Sequence, residues 1–142
     1  MIDFFTKAEG NQIITAIQAA EKNTSGEIRV HLEADCKGEI VEAAQRTFFL
    51  LKMNKTAAQN GVLFFIAPER KEFAIIGDAG IDALVPNDFW DEIRDIVIQH
   101  FRQQEYAKGI CAGVQQVGER LKTYFPYQSD DVNELPDDIS YN

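Results

Sequence analysis

The stretch "VLFFIAPERKEFAII", Val62 to Ile76, decides the fold. Two apolar runs, "VLFFIA" and "FAII", are joined by the polar link "PERKE". A link of that length containing Pro68 suits a β-hairpin, so the runs are predicted to be antiparallel neighbours. The second run empties into "GDAGID", Gly77 to Asp82, which packs two glycines and two aspartates into one turn.

Upstream, "EIRVHLE", Glu27 to Glu33, alternates strictly. Ile28, Val30 and Leu32 face one way, and Glu27, Arg29, His31 and Glu33 the other, the pattern of a half-buried strand. Between this strand and the hairpin, "IVEAAQRTFFLLKM" keeps helical spacing, with Ile40, Ala44, Phe48 and Leu51 on one face; "NKTAAQNG" then reads as a connector. A strand, a helix and a further strand make a parallel crossover unit. At the N-terminal end, Thr6 and Glu9 have capping-box spacing, followed by Ile13, Ile14, Ile17 and Ala20 in helical register. That helix is predicted to end near Asn23, where "NTSG" supplies breakers.

Downstream, Pro86, Asn87 and Asp88 mark a helix start, with Phe89, Ile93, Ile96, Val97 and Phe101 on its apolar face. A last helix is predicted from about Glu105 to Tyr124. Its three glycines, Gly109, Gly113 and Gly118, each cost about 0.5–1 kcal/mol relative to Ala. They imply close approach of another backbone. The order helix, strand, helix, strand, strand, helix, helix implies an α/β fold. Its expected form is an α/β/α sandwich with a small mixed parallel/antiparallel central sheet flanked by helices. One domain over 1–127 is followed by an acidic tail over 128–142. Val132, Leu135 and Tyr141 are the tail residues able to pin it down.

The 142-residue chain is long enough for one real core. Its net charge of -9 argues against nucleic acid and anionic membranes, and favours cations or basic partners. No apolar run approaches the ~20 residues that span a bilayer. No basic segment leads into an apolar one at the N-terminus, so a cytoplasmic, soluble monomer is expected. Cys36 and Cys111 fit no zinc or redox spacing and read as reduced thiols. Trp90, Phe89 and the pairs Phe48/Phe49 and Phe64/Phe65 are assigned to the core.

Signatures for zinc proteases, serine hydrolases, Walker loops and dinucleotide binding are missing. Carboxylates beside backbone turns are the main chemical asset, since Ca²⁺ and Mg²⁺ take carboxylate, carbonyl and amide oxygens. Asp78 directly follows the strand "FAII", and Asp82 lies four residues on. Asn60 starts the antiparallel partner strand, which places it near Asp78. If the first and third strands run oppositely, Glu27 rather than Glu33 lies at that same end. Asp78, Asp82, Asn60 and Glu27 are therefore the candidate metal ligands. Spacing alone favours a plainer reading, in which Asp78 caps the next helical turn and Asp82 is solvated. The tail's "DDVNELPDD" lacks the glycine and terminal glutamate of an EF-hand loop.

The segments "TSGEIRVHLE", "NGVLFFIAPERKEFAIIGDAGI" and "YAKGICAGVQQVGERL" resemble the TPM domain family over Ile13 to Phe125. The resemblance implies an α/β/α sandwich, divalent cation binding (usually calcium) and, for part of the family, a phosphatase label. Relatives include thylakoid-lumen proteins linked to photosystem II repair and membrane-anchored proteins. The tail "DDVNELPDDISY" resembles small cytosolic members from Bacteroidetes-type bacteria. The family's N-G-V-L segment falls on Asn60 to Leu63, and its glycine turn on Gly77 to Asp82. Relatives more often carry an aromatic residue in place of Asp78 and Glu in place of Asp82. The expected function is Ca²⁺ or Mg²⁺ binding with a regulatory or interaction role. The alternatives are a metal-dependent phosphatase and an interaction module without metal that engages a protein partner.

Overall fold

The computed structural model describes residues 4–128 and 134–141; Val132 and the "DDVN" with which the acidic stretch begins lie outside the described residues. The first helix, α1 (Lys7–Ala20), opens with the predicted capping box. Glu9 N donates to Thr6 Oγ1 at 3.1 Å, and Thr6 N donates to Glu9 Oε1 at 2.9 Å. Strand β1 (Glu27–Leu32) leads to α2 (Ile40–Leu50) and a short 3-10 turn at Met53–Lys55. The hairpin follows as β2 (Gly61–Ala67) and β3 (Glu72–Gly77). A one-turn helix, α3 (Ala79–Asp82), precedes α4 (Asp91–Arg102) and α5 (Tyr106–Leu121), and a two-residue strand, β4 (Ser140–Tyr141), closes the chain.

The sheet order is β3-β2-β1-β4. β1 and β2 pair in parallel with Glu27 opposite Gly61, and β2 and β3 pair antiparallel with Val62 opposite Gly77. β4 adds to the free edge of β1 in parallel, Ser140 opposite His31. The mixed sheet and its helices on both faces are those expected.

Alternation along the strands sorts two cores. Ile28, Val30, Leu32, Val62, Phe64 and Ile75 pack against α1, α4 and α5. Leu63, Phe65 and Ala74 face the other way, against Ala43, Ala44, Phe48, Met53 and Leu135. Consecutive Phe64 and Phe65 are both buried because each face of β2 is covered. The same expectation fails for Phe49, which is 63% exposed. On a helix, consecutive residues point about 100° apart, so only Phe48 reaches the sheet.

The glycines of α5 do what their cost implied. A Cβ on Gly113 would lie 2.7 Å from Val97 Cγ2. One on Gly118 would lie 2.8 Å from Ala20 Cβ and 2.9 Å from its Cα. α5 is thus held against α4 on one side and the end of α1 on the other.

α1, α2 and α5 end a few residues earlier than expected, at Ala20, Leu50 and Leu121, and other boundaries differ too. α4 starts at Asp91, because Pro86 to Trp90 forms a turn in which Phe89 N donates to Pro86 O at 3.0 Å and Asp91 N to Asp88 O at 3.1 Å. "NKTAAQNG" contains part of the 3-10 turn, and the glycine turn contains α3. The tail does more than lie along the surface. Leu135 and Ile139 are buried, whereas Tyr141 stays 45% exposed. The tail covers the charged face of β1, and Glu27 and His31 are each 4% exposed.

Candidate functional site

Three strand ends meet at one level of the sheet. Glu27 begins β1, Gly61 begins β2, and Asp78 follows the last residue of β3. Glu27 N donates to Asn60 O at 3.2 Å, and Asp78 N donates to Gly61 O at 3.0 Å. The hairpin geometry therefore brings the backbones of Glu27, Asn60 and Asp78 side by side.

Asp78 is the N-cap of α3, with Oδ1 accepting from Ala79 N at 2.7 Å. Its second oxygen, Oδ2, is buried and accepts no hydrogen bond among the described residues. Such an oxygen is costly unless something satisfies it. The turn is seated on carbonyls. A Cβ on Gly80 would fall 2.5 Å from the Gln59 carbonyl oxygen and closer still to that of Ala58. Only glycine lets the turn rest there, and Gln59 itself takes a φ of 50° to present that backbone. Asp82 is exposed one turn on, its N–H bonded to Asp78 O at 3.1 Å. The capping reading of Asp78 and the solvated reading of Asp82 both describe what is seen. The unsatisfied Oδ2 is what capping leaves unexplained.

The other two candidates point elsewhere. Asn60 is 3% exposed, and its Nδ2 donates to Ser25 O at 3.1 Å. It ties the start of β2 to the start of β1. The Glu27 carboxylate turns to the tail, where Oε1 accepts from Leu135 N at 2.7 Å. Burial, first of all, pushes the Glu27 carboxyl up to about 7, against the lowering effect of the Leu135 and Glu134 N–H groups and with help from nearby Glu134 and Asp137. The four side chains thus form no single ligand group. No three His, Cys, Asp or Glu side chains among the described residues are grouped to hold a metal ion.

Glu21 was missed in the sequence. It lies just beyond α1 and accepts from Ile28 N at 2.9 Å. Burial and a hydrogen bond to Asp137 push its carboxyl up to about 9. A signal did exist: an acidic residue at a helix C-terminus opposes the macrodipole, so Glu21 needs a partner outside the helix. His31 Nδ1 lies 2.8 Å from Ser140 Oγ and Nε2 lies 3.3 Å from Glu33 Oε1. Burial lowers the His31 pKa, with Glu33 opposing. His31 is thus a satisfied polar residue under the tail. Cys36 and Cys111 are free thiols, as expected.

A family model described as the TPM domain matches residues 2–120. Among solved structures, the BA42 protein from the psychrophilic bacterium Bizionia argentinensis is 44% identical, with a TM-score of 0.94 over 100% of this chain and 98% of that one. The N-terminal domain of a P. gingivalis protein is 18% identical, with a TM-score of 0.70 over 87% of this chain and 80% of that one. The N-terminal domain of the cg2496 protein from Corynebacterium glutamicum is 15% identical, with a TM-score of 0.66 over 95% and 79%. The last two show likeness of fold alone. No curated protein matches. No helix among the described residues is long and apolar enough to cross a membrane.

Proposed function

The chain belongs to the TPM domain family, and on that premise we propose that it binds a divalent cation, Ca²⁺ or Mg²⁺, in a regulatory or interaction role. One observation carries the reading: Asp78 Oδ2 is buried with no hydrogen-bond donor among the described residues. A bound cation satisfies that oxygen where no N–H does. The Ala58 and Gln59 carbonyls lie against Gly80 of the same turn, and carboxylate and carbonyl oxygens are the donors a hard cation takes. With one carboxylate in contact, the ion keeps much of its water and binds weakly, with Kd of about 10⁻⁴–10⁻³ M. Asp82, exposed on the same turn, adds negative charge at longer range. Glu27 serves the tail and is left out of direct ligation.

Calorimetric and ¹⁵N-NMR titration with CaCl₂ and MgCl₂ tests this. The Asp78→Asn protein is expected to stay folded and lose at least tenfold in affinity, while Asp82→Asn loses two- to threefold. Wild-type affinity in the Asp78→Asn protein would sink the proposal. Hydrolysis of p-nitrophenyl phosphate, with Mg²⁺ against EDTA, separates it from the phosphatase reading.

A further inference from the structure

We propose that the open edge of β3 is a docking site for an acidic, extended segment of another protein, which adds to the sheet as a fifth strand. β3 ends the sheet, and no strand among the described residues pairs with its outer side. Asp78 N donates to Gly61 O, and the register places that pair next after Gly77 and Val62. Hydrogen-bonded pairs alternate along an antiparallel ladder. Ile76 and Ala74 therefore turn their amides to β2, and Ile75 and Phe73 turn theirs outward.

Natural edge strands are commonly blunted by charge, proline or bulges. β3 has none of these between Phe73 and Ile76. Glu72, the one charge on it, is taken by Arg70 at 2.6 Å. Beside the edge runs a groove of about 460 Å³, walled by Ile40 at the start of α2 and by Arg94, Ile98, Phe101 and Arg102 of α4. Phe73 and Phe101 form its apolar floor, ring centroids 5.0 Å apart.

Charge decides the kind of partner. The protein carries -9 overall, yet this groove gathers Lys71, Arg94 and Arg102. Arg94 is paired with Asp91 at 2.6 Å. Lys71 and Arg102 make no ion pair among the described residues. Glu72 and Asp91 at the groove are each taken by an arginine, so Lys71 and Arg102 are left as its net charge; at physiological salt the screening length is about 8 Å, and carboxylates farther away are largely screened. Main-chain bonds to the outward amides supply affinity, and alternate side chains enter the groove. The segment must therefore be extended and acidic, with an apolar residue at every second position.

Three synthetic ten-residue peptides test this by ¹⁵N-NMR and fluorescence anisotropy. One alternates Glu with Val or Phe. The second replaces each Glu with Lys. The third keeps the first sequence but N-methylates alternate amides. Only the first is expected to bind, shifting the Phe73 and Ile75 amides, and the Lys71→Glu/Arg102→Glu protein is expected to lose at least tenfold in affinity. Both substituted side chains are exposed, so the variant folds; its spectrum away from the groove checks that. Failure of the first peptide to bind overturns the proposal. So does equal binding of either control, unchanged affinity in the double variant, or shifts confined to the β4 edge. Self-association that perturbs the same amides without peptide would assign the edge to a second copy and also overturn it.

Discussion

Glu21→Gln is expected to make the protein more stable at neutral pH. The Glu21 carboxyl is pushed up to about 9 by burial and by Asp137, against an ordinary value of 4.5. Between those values the folded protein holds a proton that the unfolded chain releases. The folded pKa is raised, so the contribution is fully present below pH 4.5 and is lost as pH rises toward 9. By pH 7 the linkage costs up to about 3.4 kcal/mol, at about 1.36 kcal/mol per pH unit. Glu21 is partly open to solvent, and screening cuts this to roughly 1.5–2 kcal/mol. A glutamine carries no charge, still accepts from Ile28 N, and donates an amide proton to Asp137. Urea denaturation at pH 4.5, 7 and 8.5 is the assay. The variant is expected to match wild type at pH 4.5 and to exceed it by roughly 1.5–2 kcal/mol at pH 7, a rise in Tm of about 3–8 °C. Wild-type stability flat from pH 5 to 8.5, or a variant no more stable at pH 7, would refute the reasoning.

Other outcomes follow from the packing. Gly118→Ala gains about 1 kcal/mol of helix propensity, but its Cβ meets the Ala20 backbone, which cannot swing aside; a net loss of about 1–2 kcal/mol is expected in thermal unfolding. Thr6→Ala removes the capping box and is expected to cost about 1 kcal/mol, with faster amide exchange confined to the first turn of α1. Ending the chain after Gln128 strips Leu135 and Ile139 from their sites and leaves Glu27 without its N–H donors. Burial of two aliphatic side chains, offset by the entropy of ordering the segment, puts the loss at about 2 kcal/mol by urea denaturation.

Much of the fold was legible because its signals are local. Alternation in "EIRVHLE", continuous apolarity in "VLFFIA" and "FAII", and the Thr6–Glu9 spacing each name an element without reference to the rest of the chain. The glycines of α5 were legible through their cost, and Val97 and Ala20 are what they admit. Phe49 shows the limit: adjacent aromatic residues look alike on paper, and helix phase exposes one of them. The candidate site was legible only as far as the backbone. Hairpin direction placed Asn60, Glu27 and Asp78 at one level, but no local rule says that Glu27 turns to Leu135 or that Asn60 turns to Ser25.

Periodicity and turn chemistry act over a few residues, and they were enough for the main helices and strands, the hairpin, the mixed sheet and the family, though not for α3 or β4. Tertiary structure alone decided what those elements enclose. The tail seals the charged face of β1 because Leu135 and Ile139 find apolar sites far back along the chain, and that burial is what lifts the Glu21 and Glu27 carboxyls. Asp78 keeps an unsatisfied oxygen because capping α3 occupies only one of its two, while the packing of Gly80 on the Ala58–Gln59 backbone holds the turn in place. Burial and hydrogen-bond satisfaction depend on what the whole chain brings together, which spacing in one segment does not encode.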